Sequence, residues 1–264
     1  MEEYLKLFLL AFFMPILPLI VCGLLVGLCE KLFMKMTGRF GRGFFIATSI
    51  ICTPVHELGH ALMCIPFGHK IKEMKLWDPS GRDGVMGYVN HSYNKKNFWQ
   101  RLGNLFIGLG PIILGLAVVT LIMKLCFPEA LSNYLSRMLS LDRSAAGILP
   151  MIGEGFKMIF VSVSDGTRPL WAKIAGLVLI LCVCMHINLS FADIRGSLGA
   201  IPFYAIICLA VSSIMFFVNL DGFSKFLVSS CFVGFGLYTV VIAGVFLLLA
   251  LALICFILGK VLKK

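Results

Sequence analysis

The chain has 264 residues, of which 59% are hydrophobic and only 14% charged, with a formal net charge of +10. A soluble domain carries about 25% charged residues, so this composition excludes a water-soluble enzyme, a disordered tail and a nucleic-acid binder. The Lys and Arg residues lie scattered between apolar blocks, the pattern of cations that flank membrane spans and meet anionic headgroups.

Crossing about 30 Å of hydrocarbon takes roughly 20 apolar residues in a helix. Runs of that kind lie at 5–29, 44–66, 102–126, 170–192, 200–218 and 230–259. They predict an all-α polytopic membrane protein with about six transmembrane helices, forming a single domain over 1–264. The opening MEEYLK and the run after it contain no small-residue cleavage site, so this run reads as a retained first span. After the second run, residues 68–98 hold short alternating segments around Asp78-Pro79-Ser80-Gly81 and Asp83-Gly84. That pattern predicts a β-hairpin, with Met74–Leu76 and Val85–Tyr88 as strand segments. Residues 127–169 mix apolar positions with Arg137, Asp142, Arg143, Glu154 and Lys157, which predicts one or two interfacial amphipathic helices. Positive charge is almost evenly divided between the two sides, so orientation is only weakly biased.

An ionisable side chain inside a membrane helix is costly and marks a functional candidate. The second run contains His56-Glu57-Leu58-Gly59-His60. Positions four apart share one helix face, so both imidazoles can reach one ion. Neutral imidazoles suit zinc, and an intervening Glu in this pattern is a general base. Two histidines fall short of the usual three protein ligands. His186, Asp193 and Asp221 are the nearby candidates for the third. The His56–His60 block lies toward the C-terminal end of its run, and the fourth run returns to that side where His186 and Asp193 lie. Asp221 falls on the opposite side. His186 and Asp193 are seven apart, so one can bind zinc while the other orients a neighbouring group. The bland alternatives are a packing histidine for His186 and a helix-end acid beside Arg195 for Asp193. Asn188 is a candidate donor to a developing oxyanion, although an Asn near a helix end also serves as a cap.

Gly103, Gly108, Gly110 and Gly115, with Pro111, read as close helix contacts and a kink. The ten cysteines form no CxxC pair and lie mostly in apolar runs. They read as small apolar residues rather than a disulfide framework or zinc site. His69 and His91 read as solvated residues of the hairpin region, either of which could instead bind an adventitious metal.

These features resemble the site-2 protease family of intramembrane zinc metalloproteases. The resemblance rests on HELGH at 56–60 in the second of six spans, the hairpin directly after it, an Asp after a later span, and the stretch GNLFIGLGPIILG at 103–115. It covers residues 44 to about 200. It implies that His56, His60 and Asp193 bind one zinc ion and that Glu57 activates water. It also implies a hairpin edge that captures an unwound substrate by strand addition. The expected setting is multi-pass in a bacterial cytoplasmic membrane, with the catalytic centre toward the cytoplasmic side. One departure marks a divergent branch. The family's second motif carries an Asn and a Pro ahead of Leu-Asp-Gly, whereas NLSFADIRG here lacks the Pro and the Leu-Asp-Gly.

The reading is therefore a zinc endopeptidase acting on a membrane protein or membrane-associated peptide in the lipid bilayer. A separate regulatory membrane protein is compatible with it, since no PDZ-like or nucleotide-binding insertion is present. A metal-binding membrane transporter or sensor without protease activity is the alternative. It needs polar residues continuing through the bundle on both sides of the site, and few are present. A proteolytically inactive relative that binds transmembrane partners is the third.

Overall fold

In the computed structural model, residues 2–78, 86–143, 145–218 and 221–261 are described. The helices are α1 (Glu2–Phe13), α2 (Leu17–Cys64), α3 (Phe98–Cys126), α4 (Pro128–Ser140), α5 (Ile148–Ser164), α6 (Leu170–His186), α7 (Phe191–Leu198), α8 (Ile201–Val218) and α9 (Asp221–Val261). Two strands, β1 (Lys70–Lys75) and β2 (Tyr88–Ser92), pair antiparallel with an irregular register between Ile71 and Glu73. The small hairpin therefore lies within 68–98 as the sequence predicts, directly after the His56–His60 helix, but its strands lie further from the turn than Met74–Leu76 and Val85–Tyr88, with Leu76, Met86 and Gly87 outside them. Residues 79–85, where the sequence predicts the turn, lie outside the described residues, and Val85 with them.

Four helical segments are long and apolar enough to cross a membrane: Tyr4–Cys64, Phe98–Cys126, Ile201–Val218 and Lys225–Ile254. The pair α6 and α7, bent by 56°, makes a fifth if taken as one broken span. The expected six become five because the first two apolar runs fall in the one segment Tyr4–Cys64, and four if α6, with 17 residues, is not joined to α7. That segment is not straight. Gly38 has φ 56° and ψ −127°, outside helical values, in a region that an L side chain resists. The Phe33 and Phe44 ring centroids lie 5.8 Å apart, whereas eleven residues of straight helix would separate them by about 16 Å. The chain thus folds back at Gly38.

The expected helices of 127–169 are α4 and α5. The α4 helix buries Ala130, Leu131, Tyr134 and Met138 on one face, and its N-terminus is capped from a distance by Asp165. That carboxylate accepts from Ala130 N at 3.0 Å and from Thr167 N at 2.8 Å. Many large apolar side chains face outward, among them Phe217 (81% exposed), Leu149 (76%) and Leu28 (56%). A water-soluble monomer rarely exposes so much contiguous apolar surface, whereas hydrocarbon accepts it.

Glycines bring the central helices into backbone contact. A Cβ at Gly59 would lie 2.6 Å from Gly110 C and O, and one at Gly110 would lie 2.3 Å from Gly59 O. Here α2 and α3 touch without intervening side chains, the arrangement that small residues permit in membranes. Gly103 faces Phe67, Gly108 faces Ser197 and Asp193 O, and Gly115 faces Ile187. The glycine-rich stretch is thus a row of close helix contacts, as expected.

Candidate metal centre

The last turns of α2 carry His56, Glu57 and His60, two residues beyond Pro54, which lies inside the helix. The two imidazoles share one face, with ring centroids 5.1 Å apart. Each ring is held through Nδ1 by a backbone carbonyl. His60 Nδ1 lies 2.7 Å from Ile107 O, and His56 Nδ1 lies 3.1 Å from His186 O. A carbonyl accepts only, so both Nδ1 atoms carry the proton and both Nε2 atoms present lone pairs. This is the support that metal-binding histidines characteristically have.

Asp193 completes the group. Its Oδ1 lies 3.3 Å from His60 Nε2, and one donor atom from each of His56, His60 and Asp193 falls within 4.8 Å of the others. Local sequence explains its aim. Ser190 and Asp193 form a capping box at the start of α7: Ser190 Oγ accepts from Asp193 N, while Asp193 Oδ2 accepts from Ser190 N (2.9 Å) and Ser190 Oγ (2.6 Å). One carboxylate oxygen is committed to the cap, and the other is left facing the histidines. Two imidazole nitrogens and a carboxylate oxygen are the donor set of catalytic zinc sites, so the residues present fit that ion.

A cavity of about 510 Å³ opens onto this group. Its walls are Thr53, His56, Glu57 and His60 from α2, Met86–Val89 and His91 from the hairpin, Asn104, Ile107 and Gly108 from α3, and His186, Asn188, Ser190 and Asp193 from the α6–α7 break. Glu57 is 7% exposed, and no described residue hydrogen-bonds its carboxylate. Gly87 lies directly over it: a Cβ there would sit 2.8 Å from Glu57 Cγ.

The other sequence candidates have different surroundings. His186 does not join the converging group. Its Nδ1 lies 3.0 Å from Cys182 O, its ring stacks on Phe45 at 4.5 Å, and its buried Nε2 has no partner among the described residues. It serves the centre through its backbone carbonyl. Asn188 lines the cavity, but its Nδ2 donates to Glu30. Glu30 is not among the sequence candidates, although an acid ending an apolar run is itself a signal. The Asp221 side chain lies outside the described residues. His69 is not solvated as expected: it is 7% exposed and pairs with His91, Nδ1 to Nδ1 at 3.0 Å. Burial holds both imidazoles below their ordinary value, and for His91 the neighbouring His69 and His60 add to it.

Comparison with protein-family models, with curated proteins and with solved structures finds no match for this chain.

Proposed function

We propose that this chain is a zinc-dependent endopeptidase that hydrolyses peptide bonds of membrane proteins or membrane-associated peptides, within or beside the bilayer. The observation that carries this reading is the convergence of His56, His60 and Asp193 on one point, with both Nδ1–H groups held by carbonyls, in a cavity walled by Glu57.

His56, His60 and Asp193 would hold the ion. Bound there, zinc would supply a Lewis acid that polarises the scissile carbonyl and acidifies the attacking water. Glu57 takes the proton of that water and returns it to the leaving amine, so that the carboxylate is regenerated with each turnover. Ile107 O and His186 O keep the imidazoles in one tautomer throughout. The hairpin walls the cavity beside Glu57, and the outer edge of its two-stranded sheet, without a strand partner among the described residues, is suited to receive an extended substrate by strand addition. Asn188, committed to Glu30, is not assigned the oxyanion. A second cavity of about 200 Å³ supports a hydrophobic substrate. Phe12, Ile16, Leu105, Leu109 and Ile194 line it, and it shares Gly108 and Asp193 with the first.

The reading includes six crossings. The fold-back at Gly38 lets Tyr4–Cys64 cross twice, and the bent α6–α7 pair adds one more. It includes a bacterial cytoplasmic membrane, with the centre toward the cytoplasmic side where the basic hairpin would meet anionic headgroups. Regulation would fall to a separate membrane protein.

The test compares membrane proteomes of cells expressing wild type or Glu57→Gln, alongside the zinc content of both purified proteins. The expected result is stoichiometric zinc in both and a membrane-anchored polypeptide that accumulates uncut only with Glu57→Gln. Identical cleavage by the two proteins would refute the mechanism. Zinc flux in proteoliposomes with no uncut species would favour the transporter instead.

A further inference from the structure

We propose that Cys64, His69 and His91 form a second zinc site, separate from the first, which ties the hairpin to the end of α2. One donor atom from each of the three lies within 4.8 Å of the others. None of the three belongs to the His56, His60 and Asp193 group, so the proposal stands whether or not that group cleaves peptides.

Each donor is brought there by a distinct local feature. Cys64 ends α2 and lies four residues beyond His60, which puts it on the same helix face. It is fully buried. The chain then turns through Gly68, whose φ of +67° an L side chain rarely adopts. His69 N donates to Cys64 O at 3.0 Å, which brings the next residue back over the helix end. The His69 ring is fixed on both sides. It stacks on Tyr93 at 5.0 Å, and its Nε2 donates to Gln100 O at 2.7 Å. Gly103 leaves room for that edge of the ring, since a Cβ there would lie 3.0 Å from His69 Nε2.

The hydrogen bond to Gln100 decides the chemistry. A carbonyl cannot donate, so Nε2 carries the His69 proton and Nδ1 presents a lone pair. That lone pair faces His91 Nδ1 at 3.0 Å. A tetrahedral ion with Zn–N of about 2.0–2.1 Å sets neighbouring nitrogens roughly 3.3 Å apart, so the two rings need to separate by only a few tenths of an ångström. On binding, the ion replaces the single proton between the two Nδ1 atoms. His91 keeps its proton by moving it to Nε2, and the Cys64 thiol releases its own to solvent. The balance is one proton released per ion. One thiolate and two imidazoles select zinc over the oxygen-seeking magnesium and calcium.

His91 also lines the cavity over Glu57. An ion at Cys64 would therefore fasten β2 across the mouth of the first centre.

The test loads the purified full-length chain in detergent with Co²⁺ alone and reads metal content and absorption. Sulfur-to-cobalt charge transfer in the near ultraviolet can arise only at a site containing Cys, so it cannot come from the first site, and Cys64→Ser distinguishes the second site from the other nine cysteines. Wild type is expected to hold two ions per chain and show the band. Cys64→Ser and His91→Ala should each lose the band and one ion. Retention of the other ion reports an intact fold. The double variant His56→Ala with His60→Ala should lose one ion and keep the band. One ion per chain without the band in wild type, a band that survives Cys64→Ser, or a band lost with the His56 and His60 replacements would each overturn the proposal.

Discussion

Replacing Gly59 by Ala should loosen the metal centre without touching a ligand. The added Cβ would lie 2.6 Å from Gly110 C and O and from Pro111 N. Ordinary contact begins near 3.4 Å, so the α2 and α3 backbones must part by about 0.8 Å. His60 sits beside this contact and reaches across it to Ile107 O at 2.7 Å. The same displacement stretches that bond to about 3.5 Å, the limit at which a hydrogen bond still holds. The imidazole then loses its fixed tautomer and aim, a loss that costs about 10- to 100-fold in metal affinity or activity. Stability should fall by about 1–3 kcal/mol from overpacking, although Ala for Gly in a free helix gains up to about 1 kcal/mol. The assay is competition for zinc against a chromogenic chelator in detergent. Gly153→Ala serves as the control because nothing lies within 4 Å of its Cβ position. Wild-type zinc affinity in Gly59→Ala would refute the claim that the Gly59–Gly110 contact aims His60.

Three further predictions follow from the same geometry. Ser190→Ala removes the side-chain half of the capping box, at a cost of about 1 kcal/mol. It also removes one of the two hydrogen bonds that hold Asp193 Oδ2, leaving the one from the residue 190 backbone N–H, so zinc affinity should fall about tenfold; an unchanged competition curve would show that the hydroxyl does not aim the carboxylate. Gly87→Ala meets Glu57 Cγ at 2.8 Å and Thr53 Cγ2 at 2.9 Å. It should abolish cleavage of any substrate found by the proteomic comparison while the ion of the His56, His60 and Asp193 group is retained, and loss of that ion instead would contradict the separation of Gly87 from those three ligands. Asp165 supplies a pH dependence. Burial pushes its carboxyl up, but hydrogen bonds from Thr167 and Ala130 outweigh it and leave it below 3.8. The unfolded chain therefore binds the proton first as pH falls. The stabilisation is fully present above about pH 4 and is lost as pH drops through the folded value. Thermal unfolding of Asp165→Asn in detergent should lack this acid-side loss and show about 1–3 kcal/mol lower stability at neutral pH; a variant as stable as wild type would refute the cap on α4.

What could be read from the sequence follows from what periodicity encodes. A four-residue spacing puts His56 and His60 on one face whatever surrounds them, and a turn cluster between alternating segments marks a hairpin without reference to the rest of the chain. Partners across the bundle are not encoded that way. Counting crossings separates Asp193 from Asp221, but the separation of Asp193 from His186 depends on the α6–α7 break. In an unbroken helix, residues seven apart would share a face, whereas the break turns the His186 backbone carbonyl toward His56 and leaves Asp193 to face His60. The Glu30–Asn188 pair is hidden for the same reason, since it joins the first run to the α6–α7 break across the bundle. Cys64 is the instructive miss. His56, His60 and Cys64 repeat at intervals of four along one helix, a pattern visible in the letters, yet a thiol among ten apolar-run cysteines reads as filler until a chain reversal at Gly68 returns His69 to it. A periodic stripe fixes which residues look the same way, and the loops that reverse the chain decide what they look at.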